Sequence, residues 1–237
     1  HYLTLERASK SFGEKILFKD VDLMINKGEK IALIAPNGTG KSSMLRMIAG
    51  IDKPEGEMAT FLLSKNVKVA FLDQDPNFDP ESSVIDSVLD ADVPAIKAVK
   101  KYELAQLHAT ENPKDLEEAL HEMDLHKAWD IESKVKEILF KLNLQNLEQK
   151  VKTLSGGQVK RLALAHVLLA QADLIILDEP SNHLDMDMIE WLEEYLSQDS
   201  LTVLMVTHEP DMARYAKRII HFLDGRVSSD HRNGENT

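Results

Sequence analysis

The chain has 237 residues, 43% of them hydrophobic, and no cysteine. That is enough apolar material for one large α/β domain with two lobes, and the missing thiols exclude disulfides, thiolate metal sites and cysteine nucleophiles. A formal net charge of −12 argues against broad attraction to nucleic acid or anionic lipid, because phosphate contacts need clustered Lys and Arg.

Residues 2–12 alternate polar and apolar and then meet Gly13, which predicts an antiparallel strand and turn. KIALIA at 30–35 is instead a continuous apolar run opening into a glycine-containing loop, as expected of a buried parallel strand. A helix is predicted from Lys41 to near Gly50, where glycine suits a left-handed cap. Residues 67–75 form a second such apolar run ending in polar residues. Residues 94–147 become charged and helical, with a break at 109–115, and Leu116, Ala119, Leu120 and Met123 fall on one helical face. Further apolar runs at 172–179 and 201–208 again end in polar residues; ligands of open α/β sheets bind beyond the carboxyl ends of such strands. The longest apolar stretch, 162–177, is broken by His166, Gln171 and Asp173, and the N-terminus lacks a signal-peptide layout. No membrane span is therefore expected, and the cytoplasm is the default location. Residues 228–237 read as a polar, frayed tail.

APNGTGKSS at 35–43 fits the closing part of a phosphate-binding loop. Backbone N–H groups of Asn37, Gly38, Thr39 and Gly40 surround phosphates, Lys41 meets the β and γ oxygens, and the hydroxyls of Ser42 and Ser43 follow, with Ser42 on Mg²⁺. The pattern's first glycine is Ala35, which the loop tolerates if φ stays negative. The acids Asp178 and Glu179 end an apolar strand, where alternation points them in different directions. A pair of solvated loop acids is the bland reading, but the upstream lysine loop favours Asp178 in the Mg²⁺ shell and Glu179 as the base that orients or deprotonates water. Gln74 and His208 end two other strands, Gln74 suited to Mg²⁺ and water, His208 to the γ-phosphate or to positioning Glu179. Phe12 is a candidate to stack on adenine, or else a core aromatic.

LSGGQ at 154–158 supplies a second phosphate-binding turn: Ser155 caps a helix, while Gly156 and Gly157 let a phosphate approach the backbone. With LSGGQ, the lysine loop, Gln74, LIILDE, the Leu184–Asp185 pair and His208 in this order, the chain resembles an ATP-binding cassette (ABC) ATPase. The resemblance implies an α/β P-loop NTPase fold, with a mixed sheet core, an N-terminal antiparallel segment and an inserted helical lobe over about 94–150, the whole spanning 1–227. It implies ATP and Mg²⁺ as cofactors. Ser155, Gly156, Gly157, Gln158 and Asp185 are then nucleotide-contacting residues. The partner implied is a second cassette closing head-to-tail, either another copy or a further half of the protein.

SNHLD at 181–185 is similar to the TNHLD of the ABC-F branch, whose members act on ribosomes. Tyr102, Met123, Asp124, Trp129 and Asp130 also look like that branch's arm, which reaches ribosomal or transfer RNA. Against RNA contact, residues 94–130 hold five lysines and eight acids. The C-terminal end differs: after His208 come Glu209, Pro210 and Asp211, and MARYAKRIIHFLDGRV looks like cassettes of lipoprotein or macrolide exporters, which work beside a membrane permease subunit. A third reading is a nucleotide-gated clamp with low turnover.

Overall fold

The structure, a computed structural model, describes residues 1–36 and 40–233. In chain order its elements begin with strands β1 (Leu3–Phe12), β2 (Lys15–Ile25) and β3 (Lys30–Ile34), helix α1 (Lys41–Ile48), β4 (Thr60–Leu63) and β5 (Val69–Leu72). Helices α2 (Val84–Val88), α3 (Pro94–Leu107), α4 (Pro113–Leu125), α5 (Trp129–Lys141) and α6 (Gly156–Leu169) follow. Then come β6 (Leu174–Asp178), α7 (Met186–Leu196), β7 (Thr202–Thr207), β8 (Arg218–Leu223) and β9 (Arg226–Arg232). The chain divides into two compact units, residues 1–75 with 172 onward, and residues 76–171.

In the first unit, β2-β1-β4 form an antiparallel sheet and β5-β6-β7-β3-β8-β9 a mixed one, parallel except where β9 pairs with β8. β3, β6 and β7 are buried along nearly their whole lengths, which is why their sequences run continuously apolar instead of alternating. Leu3, Leu5, Phe18, Leu23 and Ile25 of the antiparallel sheet share one core with Leu33, Ile176, Leu204 and Phe222 of the mixed sheet. Phe18 and Phe222 meet edge-on, centroids 6.5 Å apart. Into this core α1 inserts Met44, Leu45, Met47 and Ile48, each worth roughly 1.5–3 kcal/mol of burial. The helix stops where predicted: Gly50 has φ 77°, and Ile51 and Gly50 donate back to the Arg46 and Met47 carbonyls, which closes the last turn. The expected frayed tail is corrected in part, since Ser228–Arg232 lie in β9, paired with β8 from Arg218 to Leu223; backbone pairing outweighs the polarity of the side chains.

The second unit is helical and begins before the predicted lobe. α3 and α4 form a hairpin broken at 108–112, and Lys101 reaches Glu122 at 2.8 Å. On α4, Ala119 and Met123 are buried, but Leu120 is exposed and Leu116 only half-buried, so the buried stripe is narrower than the one read from spacing. Tyr102 meets Trp129 edge-on at 5.1 Å, and Trp129 Nε1 donates to Asp124 Oδ1 at 2.8 Å. Tyr102, Asp124 and Trp129, three of the residues that resemble an arm, thus contact one another within the unit.

Candidate functional site

Register brings the chemistry of the first unit to one edge. β7 pairs with β6 through Asp178 opposite Val206 and with β3 through Ile34 opposite Thr207. The carboxyl ends of three neighbouring strands are therefore level within a residue, and each releases a functional segment there: the lysine loop after β3, Glu179 after β6, His208 after β7. Asn37, Gly38 and Thr39 lie outside the described residues. Ala35 is buried, is not among the residues with positive φ, and donates its N–H to the Thr207 carbonyl at 3.3 Å, which meets the condition for alanine at that position.

Gly40 precedes α1 with φ 80° and provides no side-chain cap there. A Cβ at Gly40 would lie 2.8 Å from Leu17 Cβ. Gly40→Ala therefore meets both a left-handed penalty of about 1–2 kcal/mol and a steric clash. We expect a lower Tm together with weaker ATP binding, followed by thermal unfolding and fluorescent-nucleotide titration; an unchanged Tm would contradict this assignment.

The two adjacent acids grip two adjacent residues of α1. Ser42 Oγ donates to Asp178 Oδ2 at 2.9 Å, and Lys41 Nζ donates to Glu179 Oε1 at 2.6 Å. Lys41 and Glu179 are 6% and 5% exposed, so this is a buried ion pair. The two acids reach different partners; Glu179 lies one residue past β6 with φ 48°, and its carboxylate meets Lys41. Such a conformation costs of order 1–3 kcal/mol and recurs at functional sites. His208 Nδ1 lies 3.0 Å from both Glu179 oxygens, so as an N–H it donates to the carboxylate and fixes its orientation. Burial pushes the Asp178 carboxyl up, the Ser42 hydroxyl opposes this, and the Glu179 charge adds to the rise.

Several supports escaped the sequence reading. Arg46 on α1 binds Asp52 at 3.0 Å and Asp73 at 3.4 Å, which ties down the chain next to Gln74. Gln74 itself is exposed, in the bend after β5. Thr207 Oγ1 accepts from the Glu209 N–H at 3.0 Å, holding the turn that carries His208. A polar residue beside each predicted site residue was the available signal, but which partner it meets depends on the fold. Ser181 is buried and its hydroxyl has no partner among the described residues, and Asp185 caps α7 by accepting from the Met188 N–H. Ser43 follows in the first turn of α1. Phe12 is 81% exposed, which removes the core reading and leaves its ring face free.

In the helical unit the signature turn forms a reciprocal cap. Ser155 Oγ accepts from the Gln158 N–H, and Gln158 Oε1 accepts from the Ser155 N–H. Gly156 and Gly157 open α6, and a Cβ at Gly156 would meet nothing within 4 Å, so an incoming group has clear access to that helix end.

The model of the ABC transporter family matches residues 18–182. The chain belongs to the ABC transporter ATPase family. ABC cassettes of this kind hydrolyse ATP. The cassette is 40% identical over 214 residues to the uncharacterized ABC transporter ATP-binding protein YfmR of Bacillus subtilis, covering 87% of this chain and 34% of that protein. It is 36% identical over 212 residues to the energy-dependent translational throttle protein EttA of Mycobacterium tuberculosis, covering 87% and 38%. The cassette thus spans little more than a third of the length of these relatives. Among solved structures it is similar to an ATP-binding cassette in a dimeric, post-hydrolysis state bound to ADP and Pi, with a TM-score of 0.66, 27% identity and coverage of 97% and 98%. No helix among the described residues is long and apolar enough to cross a membrane.

Proposed function

We propose that this cassette binds MgATP on the lysine loop, closes head-to-tail with a second cassette and hydrolyses the γ-phosphate, and that it does so in a cytoplasmic ABC-F-type factor working on the ribosome. The observation that carries the ATPase part is the buried Lys41–Glu179 pair held by His208, with Ser42 and Asp178 beside it. Among the described residues the buried Asp178 Oδ1 has no hydrogen-bond partner, and such a carboxylate oxygen next to a serine hydroxyl fits a hard cation's preference for oxygen donors. Ser42, Asp178 and Gln74 would hold Mg²⁺, which when bound neutralises developing phosphate charge.

The rest is work for the chain's own groups. Lys41 is held by Glu179; the β and γ oxygens of ATP compete for the same ammonium and release the carboxylate. Glu179, still oriented by His208 Nδ1, then accepts a proton from the attacking water while phosphorus–oxygen cleavage yields ADP and phosphate. Ser155, Gly156 and Gly157 of a second cassette would supply N–H donors to the γ-phosphate, and Phe12 and Asp185 contribute at the adenine and at the interface between cassettes.

The ribosomal role rests on SNHLD at 181–185 and on the relative whose name places it in translation. The C-terminal stretch from Glu209 favours a second reading, the ATP-binding subunit of a membrane exporter held at the membrane by a permease. The Lys41–Glu179 pair is what a low-turnover clamp would also show. Cosedimentation of the ATP-loaded Glu179→Gln cassette with ribosomes is expected. Copurification with a membrane subunit and no ribosome association would instead support the exporter.

A further inference from the structure

The antiparallel sheet ends on β4, which among the described residues pairs with β1 alone. Ser64 N–H donates to the Tyr2 carbonyl at 2.9 Å, in step with the register that sets Leu62 opposite Thr4 and Thr60 opposite Glu6. Successive residues of a strand turn their N–H and C=O groups to opposite sides. Ser64, Leu62 and Thr60 therefore bond toward β1, while Phe61 and Leu63 present their donors and acceptors outward.

Exposed edges of this kind are ordinarily blunted by lysine, proline or a bulge. Here residues 58–64, MATFLLS, hold neither charge nor proline in a chain that is 29% charged, and the pairing of β4 with β1 runs from Thr60 to Leu63 without a register shift. Phe61 packs on the core, whereas Leu62 on the opposite face is 62% exposed and Met58 and Leu63 are exposed as well. Charge resumes at the two ends, with Glu57 before the strand and Lys65 after it, both exposed. A folded second copy meeting this edge would share only the four residues of β4, far short of the roughly 1,200–2,000 Å² that a stable interface buries. An extended segment brings backbone donors and acceptors with little bulk.

We propose that β4 receives an extended apolar segment of another protein as an added antiparallel strand. Phe61 and Leu63 each exchange a pair of backbone hydrogen bonds with the residue opposite. An acid at the segment's N-terminal end lies beside Lys65, and a base at its C-terminal end lies toward Glu57.

The probe is acetyl-Glu-Thr-Val-Leu-Val-Thr-Lys-amide, whose leucine stands opposite Leu62 and whose valines stand opposite Leu63 and Phe61. Amide hydrogen exchange on the whole chain should show Phe61 and Leu63 exchanging faster than Thr60 and Leu62. With peptide at ten times its Kd, the two outward amides should slow about tenfold, since exchange then draws on the unbound fraction. N-methylation of both valines should weaken binding at least about fivefold, the loss of two backbone hydrogen bonds. N-methylation of the leucine, whose N–H points away from β4, should leave affinity unchanged. Exchanging the terminal Glu and Lys should also weaken binding, most at low salt. Leu63→Pro removes an outward donor and spares the bonds to β1, so it should abolish peptide binding while ATP affinity stays unchanged. Because a variant can misfold, the methylated peptides provide the same test on the unaltered chain. Equal affinity of the valine-methylated or charge-exchanged peptides, or no saturable binding, would overturn the proposal. So would protection of Phe61 and Leu63 that grows with protein concentration in the absence of peptide, which would put a second copy on this edge.

Discussion

Replacing Glu179 with glutamine is expected to lower ATP turnover by about 10²- to 10⁴-fold, the usual contribution of a positioned general base, while strengthening nucleotide binding. The second half follows from the Lys41–Glu179 pair. Glu179 Oε1 occupies Lys41 Nζ at 2.6 Å, so ATP must displace a buried carboxylate before the lysine can serve the phosphates. Glutamine is isosteric, keeps a hydrogen bond to His208, and carries no charge to compete for the ammonium or to repel the γ-phosphate. Steady-state phosphate release and nucleotide titration read the two effects separately. Unchanged phosphate release would place the base elsewhere, and unchanged or weaker affinity would mean that the Lys41–Glu179 pair does not gate binding.

The second large effect belongs to Lys41→Ala. Two charge-assisted contacts to phosphate, at about 1.5–3 kcal/mol each, amount to roughly 10²- to 10⁴-fold in ATP affinity. A further consequence appears without any nucleotide. Truncating the lysine leaves Glu179 buried without its cation, and breaking a buried pair in this way costs roughly 3–5 kcal/mol. Lys41→Ala should therefore melt well below the unaltered chain, and the double variant Lys41→Ala with Glu179→Gln should recover much of that loss. Comparing unfolding free energies around this cycle isolates the pair. Additive losses would show that the two groups do not interact in solution.

Which parts of this were legible in the sequence follows from how local each signal is. β3, β6 and β7 announce themselves because strands covered on both faces read as unbroken apolar runs, and α1 is bracketed by Gly40 and Gly50, whose positive φ few other residues accept. Gln74, Asp178, Glu179 and His208 were also visible as polar groups at strand ends, and Lys41 and Ser155 as the openings of helices. Pairings between distant segments were not. Nothing in LIILDE says that Glu179 turns left-handed and meets Lys41 138 residues away, because that contact depends on β6 and β3 each flanking β7 in one register. The tail misled for the same reason: Ser228–Arg232 look disordered by composition, yet β8 offers them an edge to pair with. Leu120 shows the converse error, where helical spacing counted as core a leucine that the α3–α4 hairpin leaves in water.

Light scattering on the Glu179→Gln chain decides whether nucleotide binding closes two cassettes through the signature turn. With hydrolysis slowed, MgATP should convert monomer to a species of twice the mass. Ser155→Arg in the same background should remain monomeric, because the added side chain stands at the open helix end next to Gly156 where the opposite γ-phosphate must sit. A mass that does not change with saturating MgATP at high protein concentration, or a dimer that forms equally well with Arg at 155, would contradict the paired mechanism.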